Sequence, residues 1–195
     1  MTVGEVVDRV SRDAPYFKAS GGGVTVSGGE PLAQPEFTYE LLKAFNQREI
    51  HTAVETTGYG PWSSLSRLSE VTDLFLYDLK AVDDDVHRRY TGVSNARIIE
   101  NLRRLCAAGS RVQVRVPCIP GVNDSPEQIR KLATTAAAAG VGSITLLPYN
   151  NAASAKYAWI GRGYDLDGAR RQDGTYMEQL AAICREYELD TEIVG

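Results

Sequence analysis

Gly28, Gly29 and Glu30 follow the alternation Val24, Thr25, Val26 and precede Pro31. Two consecutive glycines let backbone approach a ligand closely, and the carboxylate after them adds a charge-specific acceptor, so the segment fits a small-molecule site. Further along, Glu55, then Asp78 and Lys80, then Arg115, then Tyr149 and Asn150 stand at the ends of apolar runs. The set offers acceptors for an ammonium, cations for a carboxylate and paired acids for a metal ion, which matches a zwitterionic, amino-acid-like ligand. Taken singly, Glu55 and Asp78 fit equally well as solvated strand ends that pair with Arg115 and Lys80. Lys80 alone fits a snorkelling side chain, and Asn150 a loop cap. Arg115 resists such a reading, because a buried guanidinium is costly without an anionic partner. His51 opens its strand far from these ends and His87 lies in a polar helix, so neither is expected in catalysis.

Strands expected at residues 23–27, 51–56, 74–79, 111–118 and 143–148 carry these residues, with a short one at 191–194, and helical periods separate them. The first helix starts at Thr2, where Thr2 and Glu5 form a capping-box pattern ahead of Val3, Val6, Val7 and Val10. A helix from about Pro35 is expected to bury Phe37, Leu41 and Phe45, and a shorter one spans Ser63 to Glu70. Ser94 is expected to cap a helix with Ile98, Leu102 and Leu105 inward. Ser125, Pro126 and Gln128 open another whose stripe is Ile129, Leu132, Ala133 and Ala136. Met177, Leu180, Ala181 and Cys184 mark the last helix. Repeated strand-helix-strand crossovers require parallel strands, in a doubly wound sheet or a barrel. Polar residues share one face of several strands, Gln113 with Arg115 and Asp78 with Lys80, where a doubly wound sheet would read as continuously apolar; this points to a barrel mouth.

The chain has 195 residues, 43% hydrophobic and 24% charged, enough for one compact α/β domain over residues 1–195. With a net charge of −4 and arginine pairs scattered among acids, nucleic acid is not an expected partner. No apolar run approaches the roughly 20 residues of a membrane span, and Met1 leads into a polar helix start, so the expectation is a cytoplasmic protein without membrane association. Cys106, Cys118 and Cys184 are far apart and match no metal-ligand spacing; Cys106 and Cys184 fall on apolar stripes, and all three are expected to pack.

The segments ASGGGVTVSGGEPLAQPEF, HTAVETTGYG, DLFLYDLK, VPCIPGVND and LLPYN occur in the order and spacing of the radical S-adenosylmethionine activating enzymes of glycyl-radical enzymes, the pyruvate formate-lyase activase family, which the chain resembles over nearly its whole length. The resemblance implies a partial (β/α)6 TIM-like barrel of the radical SAM type. It implies that Gly28, Gly29 and Glu30 bind the amino group of S-adenosylmethionine, and that Lys80 and Arg115 contact its carboxylate and neighbouring parts. Glu55 and Asp78, with the carbonyls of Thr56 and Leu76, match a monovalent-cation site in which the family has aspartate at position 55. Asn150, also a cofactor position, stands where pyruvate formate-lyase activase has histidine, which suggests a different glycyl-radical enzyme as partner. A flavodoxin or ferredoxin is the implied electron donor.

Family enzymes hold a [4Fe-4S] cluster through a CxxxCxxC loop after the first strand, and this sequence has no such motif. The chain therefore reads as a fragment that starts at the helix after that loop, without the first strand. It is expected to be inactive alone, although an activase by family. Two other readings are a non-catalytic S-adenosylmethionine-binding or scaffold module, and an aldolase-like barrel with a Schiff base on Lys80. Asp78 opposes the latter, since it would keep the ammonium charged. Without a strand beside residues 23–27, that edge is expected to self-associate or to be covered by the helix at Thr2 to Val10. Light scattering over a concentration series should show association that Val26→Lys suppresses; a monomer throughout would refute self-association and leave coverage by that helix.

Overall fold

The computed structural model describes residues 1–150 and 169–195. Helix α1 (Val3–Val10) begins with the expected capping box: Thr2 Oγ1 accepts the Glu5 N–H at 3.3 Å and the Glu5 carboxylate accepts the Thr2 N–H at 2.7 Å. A 3-10 turn (Ser11–Asp13) leads into α2 (Ala14–Ser20), a helix absent from the sequence reading because about two turns show no readable period. Strand β1 (Gly23–Val26), a 3-10 turn (Pro31–Ala33), α3 (Pro35–Asn46), β2 (His51–Thr56), α4 (Trp62–Ser69), β3 (Leu74–Asp78) and α5 (Asp84–Thr91) follow. Then come α6 (Ala96–Ala107), β4 (Val112–Pro117), α7 (Pro126–Ala138), β5 (Ser143–Leu147), α8 (Gly174–Arg185) and β6 (Asp190–Ile193).

The sheet takes its strands in chain order, β1 to β6. β1 with β2, β2 with β3 and β5 with β6 run parallel. A doubly wound sheet reverses its order at a switch point. This order never reverses, so the winding is that of the partial (β/α)6 barrel. Among the described residues no helix is long and apolar enough to cross a membrane.

The chain divides into two compact units. The first comprises Met1–Asp78 and Ser94–Gln113. Here Val7, Leu41, Phe45 and Ile50 form a buried cluster, covered by Val3, Val6, Val10, Phe17, Val24 and Val26. The inward stripe of α3 is Thr38, Leu41, Leu42 and Phe45, spaced i, i+3, i+4 and i+7. Phe37, expected inside, lies one residue off that stripe and is 37% exposed. Helix α6 buries Ile98, Leu102 and Leu105 as expected, with Asn101 among them. Its N-cap is Asn95 and not Ser94, whose Oγ instead accepts the Ala96 N–H at 3.2 Å. Cys106, next to Leu105 and so turned off the stripe, is only half-buried.

The second unit comprises Leu79–Val93 and Val114–Gly195. Ile129, Leu132, Ala133 and Ala136 of α7 are buried, as are Met177, Leu180, Ala181 and Cys184 of α8, and the two helices pack together. Ser125 caps α7 by accepting the Gln128 N–H, and Asp173 caps α8 by accepting the Tyr176 N–H at 2.8 Å. His87 of α5, placed by its sequence on a polar helix, is 3% exposed with Nδ1 2.8 Å from the Val93 carbonyl oxygen; it packs the helix end. Leu41→Ala should cost about 2–5 kcal/mol, and Phe37→Ala about 1 kcal/mol or less. Urea denaturation of the two variants measures the difference, and equal losses would contradict the packing described.

Candidate functional site

In the first unit the carboxyl ends of the strands are tied together by side chains. Gly28 has φ of +122°, open to glycine alone, and a Cβ at Gly28 or Gly29 would meet nothing within 4 Å. The backbone there is both unusual and accessible. Glu30 then reverses the chain, its Oε1 accepting the Leu32 N–H of the following 3-10 turn at 3.1 Å. The same oxygen accepts the Thr56 hydroxyl at 2.6 Å, while Oε2 accepts the Thr57 N–H at 2.9 Å and the Thr57 hydroxyl at 2.6 Å. A carboxylate has about four acceptor positions, and four donors already address this one. Glu30 is thus a cross-link between the ends of β1 and β2, and a ligand ammonium meets it only by sharing a position with one of those donors.

The other carboxylates follow the register. Ser27 Oγ donates to Glu55 Oε2 at 3.1 Å. Glu55 pairs with Leu76 and Thr56 with Tyr77 across β2 and β3, and Asp78 closes β3. Thr56 is buried, and its hydroxyl also accepts the Gly58 N–H at 3.0 Å. Gly58 has φ of +69°, and a Cβ there would lie 1.7 Å from the Tyr77 hydroxyl. That hydroxyl donates to the Ile98 carbonyl at 2.6 Å, and burial pushes its pKa above the ordinary range. Asn101 Nδ2 donates to the carbonyls of Gly58 at 2.8 Å and Gly60 at 3.0 Å. Neither Thr57 nor Asn101 was singled out from the sequence. Asn101 did carry a signal, a lone amide on an apolar helical stripe.

In the second unit, Lys80 lies just beyond β3 and is half-buried, and Arg115 is a half-buried residue of β4 between the buried Val114 and Val116. The Leu79 N–H donates to the Arg115 carbonyl at 2.9 Å, so the backbones that carry the two cations are adjacent. Tyr149 is buried and Asn150 exposed beyond the end of β5. The Tyr149 N–H donates to Gln172 Oε1 at 2.9 Å, a contact no sequence pattern announced.

Cys106, Cys118 and Cys184 lack the CxxxCxxC spacing of the family's cluster loop, and Cys118 and Cys184 are buried with Cys106 half-buried. Burial pushes Cys118 up to about 12 and Cys184 up to about 11, and it raises Cys106 as well. Among the described residues no three His, Cys, Asp or Glu side chains group as metal ligands. A cavity of about 340 Å³ lies against Phe17, Lys18, Arg48, Ile50 and His51. It adjoins the amino ends of β1 and β2 and contains none of the candidate residues, so the chemistry does not belong to it.

A model of the radical SAM superfamily matches residues 1–133. The chain is 47% identical over 163 residues to the isethionate sulfite-lyase activating enzyme of Oleidesulfovibrio alaskensis, covering 83% of this chain and 52% of that protein. It is 36% identical over 187 residues to the pyruvate formate-lyase-activating enzyme of Clostridium pasteurianum, covering 95% and 78%. A crystal structure of a domain of pyruvate-formate lyase-activating enzyme from Bacteroides vulgatus superposes with a TM-score of 0.75 at 32% identity, covering 89% of this chain and 99% of that one. The chain spans 52% to 65% of the length of several curated relatives it matches. Iodoacetamide at pH 8 should alkylate Cys106 ahead of Cys118 and Cys184 in the folded chain, and all three after unfolding. Mass spectrometry reads the order, and early labelling of Cys118 would contradict its burial.

Proposed function

The chain belongs to the radical SAM superfamily and within it to the activating enzymes of glycyl-radical enzymes, and on that premise we propose that it is the part of such an activase that binds S-adenosylmethionine and meets the partner. The Glu30 cross-link carries the reading, because it ties the chain immediately after the open Gly28–Gly29 backbone to the end of β2. In this proposal the ligand's ammonium lies against Gly28, Gly29 and Glu30, Lys80 and Arg115 meet its carboxylate, and Asn150 borders the remainder. Glu55 and Asp78, with the carbonyls of Thr56 and Leu76, hold a monovalent cation.

In the family a [4Fe-4S] cluster supplies the electron that cleaves S-adenosylmethionine, so that a hydrogen is removed from a glycine of the partner. The cysteines of this chain do not fit that cluster, and its own residues bind and orient. This favours a binding module for the chain taken alone. Similarity to activating enzymes supports a charge contact for Lys80 over a Schiff-base nucleophile. For the partner we favour a glycyl-radical lyase that cleaves a sulfonate, since identity is 47% to the isethionate sulfite-lyase activating enzyme and 36% to the pyruvate formate-lyase one. Asn150 in place of histidine agrees with that choice. A flavodoxin or ferredoxin remains the proposed electron donor of the whole enzyme, acting in the cytoplasm.

Titration calorimetry of the chain with S-adenosylmethionine should show binding. Arg115→Ala should remove a charge-assisted contact worth about 1.5–3 kcal/mol, a loss of roughly ten-fold or more in affinity. Affinity unchanged in Arg115→Ala and in Gly28→Val would overturn the assignment.

A further inference from the structure

The segment Cys118 to Asp124 takes part in no contact proposed above, yet it holds a fully buried amide. Asn123 is 0% exposed. Its Oδ1 accepts the Ile119 N–H at 2.6 Å, and its Nδ2 donates to the Lys80 carbonyl at 2.6 Å and to the Pro117 carbonyl at 2.8 Å. The three partners fix which way the amide faces: the oxygen meets the one donor and the nitrogen the two acceptors.

These bonds fall where the strand ladder ends. Leu79 N–H to Arg115 carbonyl, 2.9 Å, is a backbone rung just beyond β3. One residue later the Lys80 carbonyl is met by a side chain instead. The Asn123 amide therefore acts as an added peptide group, bridging the chain at Lys80 to the last residue of β4. Its own position is held from outside. The Asp124 carboxylate accepts the Gly121 N–H at 2.8 Å and Gln172 Nε2 at 2.9 Å, and the Tyr176 hydroxyl donates to the Asp124 carbonyl at 2.8 Å. An amide with every polar group satisfied and its backbone pinned by a helix has one available conformation, which is what a positioning residue needs.

We infer that Asn123 is a positioning residue for Lys80: it holds the Lys80 main chain so that the ammonium is presented to the ligand's carboxylate. The inference rests on the proposed role of Lys80 and adds the residue that makes that role geometrically possible. Removing the amide frees the Lys80 carbonyl and the backbone beneath the side chain, and the cost falls on the carboxylate contact.

The test is a cycle of Asn123→Ala, Lys80→Met and the double variant, titrated calorimetrically with S-adenosylmethionine and with its decarboxylated analogue, with circular dichroism confirming each fold. Each single variant should weaken S-adenosylmethionine about ten-fold, and the double variant should be no weaker than the weaker single one. The decarboxylated ligand should bind the parent and Asn123→Ala within about two-fold of each other, because a loss confined to the carboxylate does not touch it. Should Asn123→Ala not fold, the neutral Asn123→Ser, which loses the carboxamide and its two Nδ2 donations, is read in the same way. Effects that multiply in the double variant, or an equal loss for both ligands, overturn the inference and leave the functional reading standing. A parent chain that binds neither ligand overturns both.

Discussion

The carboxylate of Glu30 is the constraint on which the candidate loops of the first unit depend. Parallel strands end with backbone groups that no neighbour can take, and the loops beyond them must find partners among side chains. One carboxylate takes the Leu32 N–H, the Thr56 hydroxyl and both donors of Thr57. Hydrogen bonds to an ionised group are worth about 1.5–3 kcal/mol each, against at most about 1.5 for neutral ones, so this single residue outweighs several ordinary turn bonds. The constraint passes on through Thr56, which donates to Glu30 and accepts from Gly58. Gly58 in turn is fixed by Asn101 and by the close approach of Tyr77.

The second unit solves the same problem with amides. Asn123 caps the ends of two backbone segments, and Gln172 joins the Tyr149 N–H, the Cys118 carbonyl and the Asp124 carboxylate. The choice of chemistry follows from what each region must present. An anion at the end of β1 repels nothing when the expected ligand group there is an ammonium. A neutral amide beneath Lys80 holds the backbone there without adding a further charge.

How far the sequence could be read follows from the range of the interactions. Among the described residues local periodicity located every strand to within one residue at each end and the Thr2 capping box in full, because both depend on near neighbours in sequence. Phe37 and Cys106 were placed inward wrongly because each lies one residue off its helix stripe, an angular error of about 100° that a short pattern does not resolve. The networks were out of reach for another reason. Asn123 meets Lys80 across 43 positions and Gln172 meets Cys118 across 54. A polar residue whose partner is that far away in sequence looks like any loop asparagine or glutamine. Only Asn101 betrayed itself, by standing where an apolar residue was due.

The arrangement also explains why the proposed ligand contacts and the cysteines have different surroundings. Groups meant for a charged ligand have to stay half-exposed while their backbones stay fixed, since freezing a loop after binding subtracts from affinity. Glu30, Lys80 and Arg115 are each half-buried at the side chain and hydrogen-bonded at the main chain or by the neighbouring turn. Cys118 and Cys184 have the opposite design, with thiols enclosed by apolar packing and kept protonated by it. A thiol so placed contributes volume to the core, whereas a half-exposed ammonium on an anchored backbone contributes little to it. Glu30 belongs to both groups: it pins the ends of β1 and β2 and is also a proposed ligand contact, so at that residue folding and the proposed binding share one carboxylate.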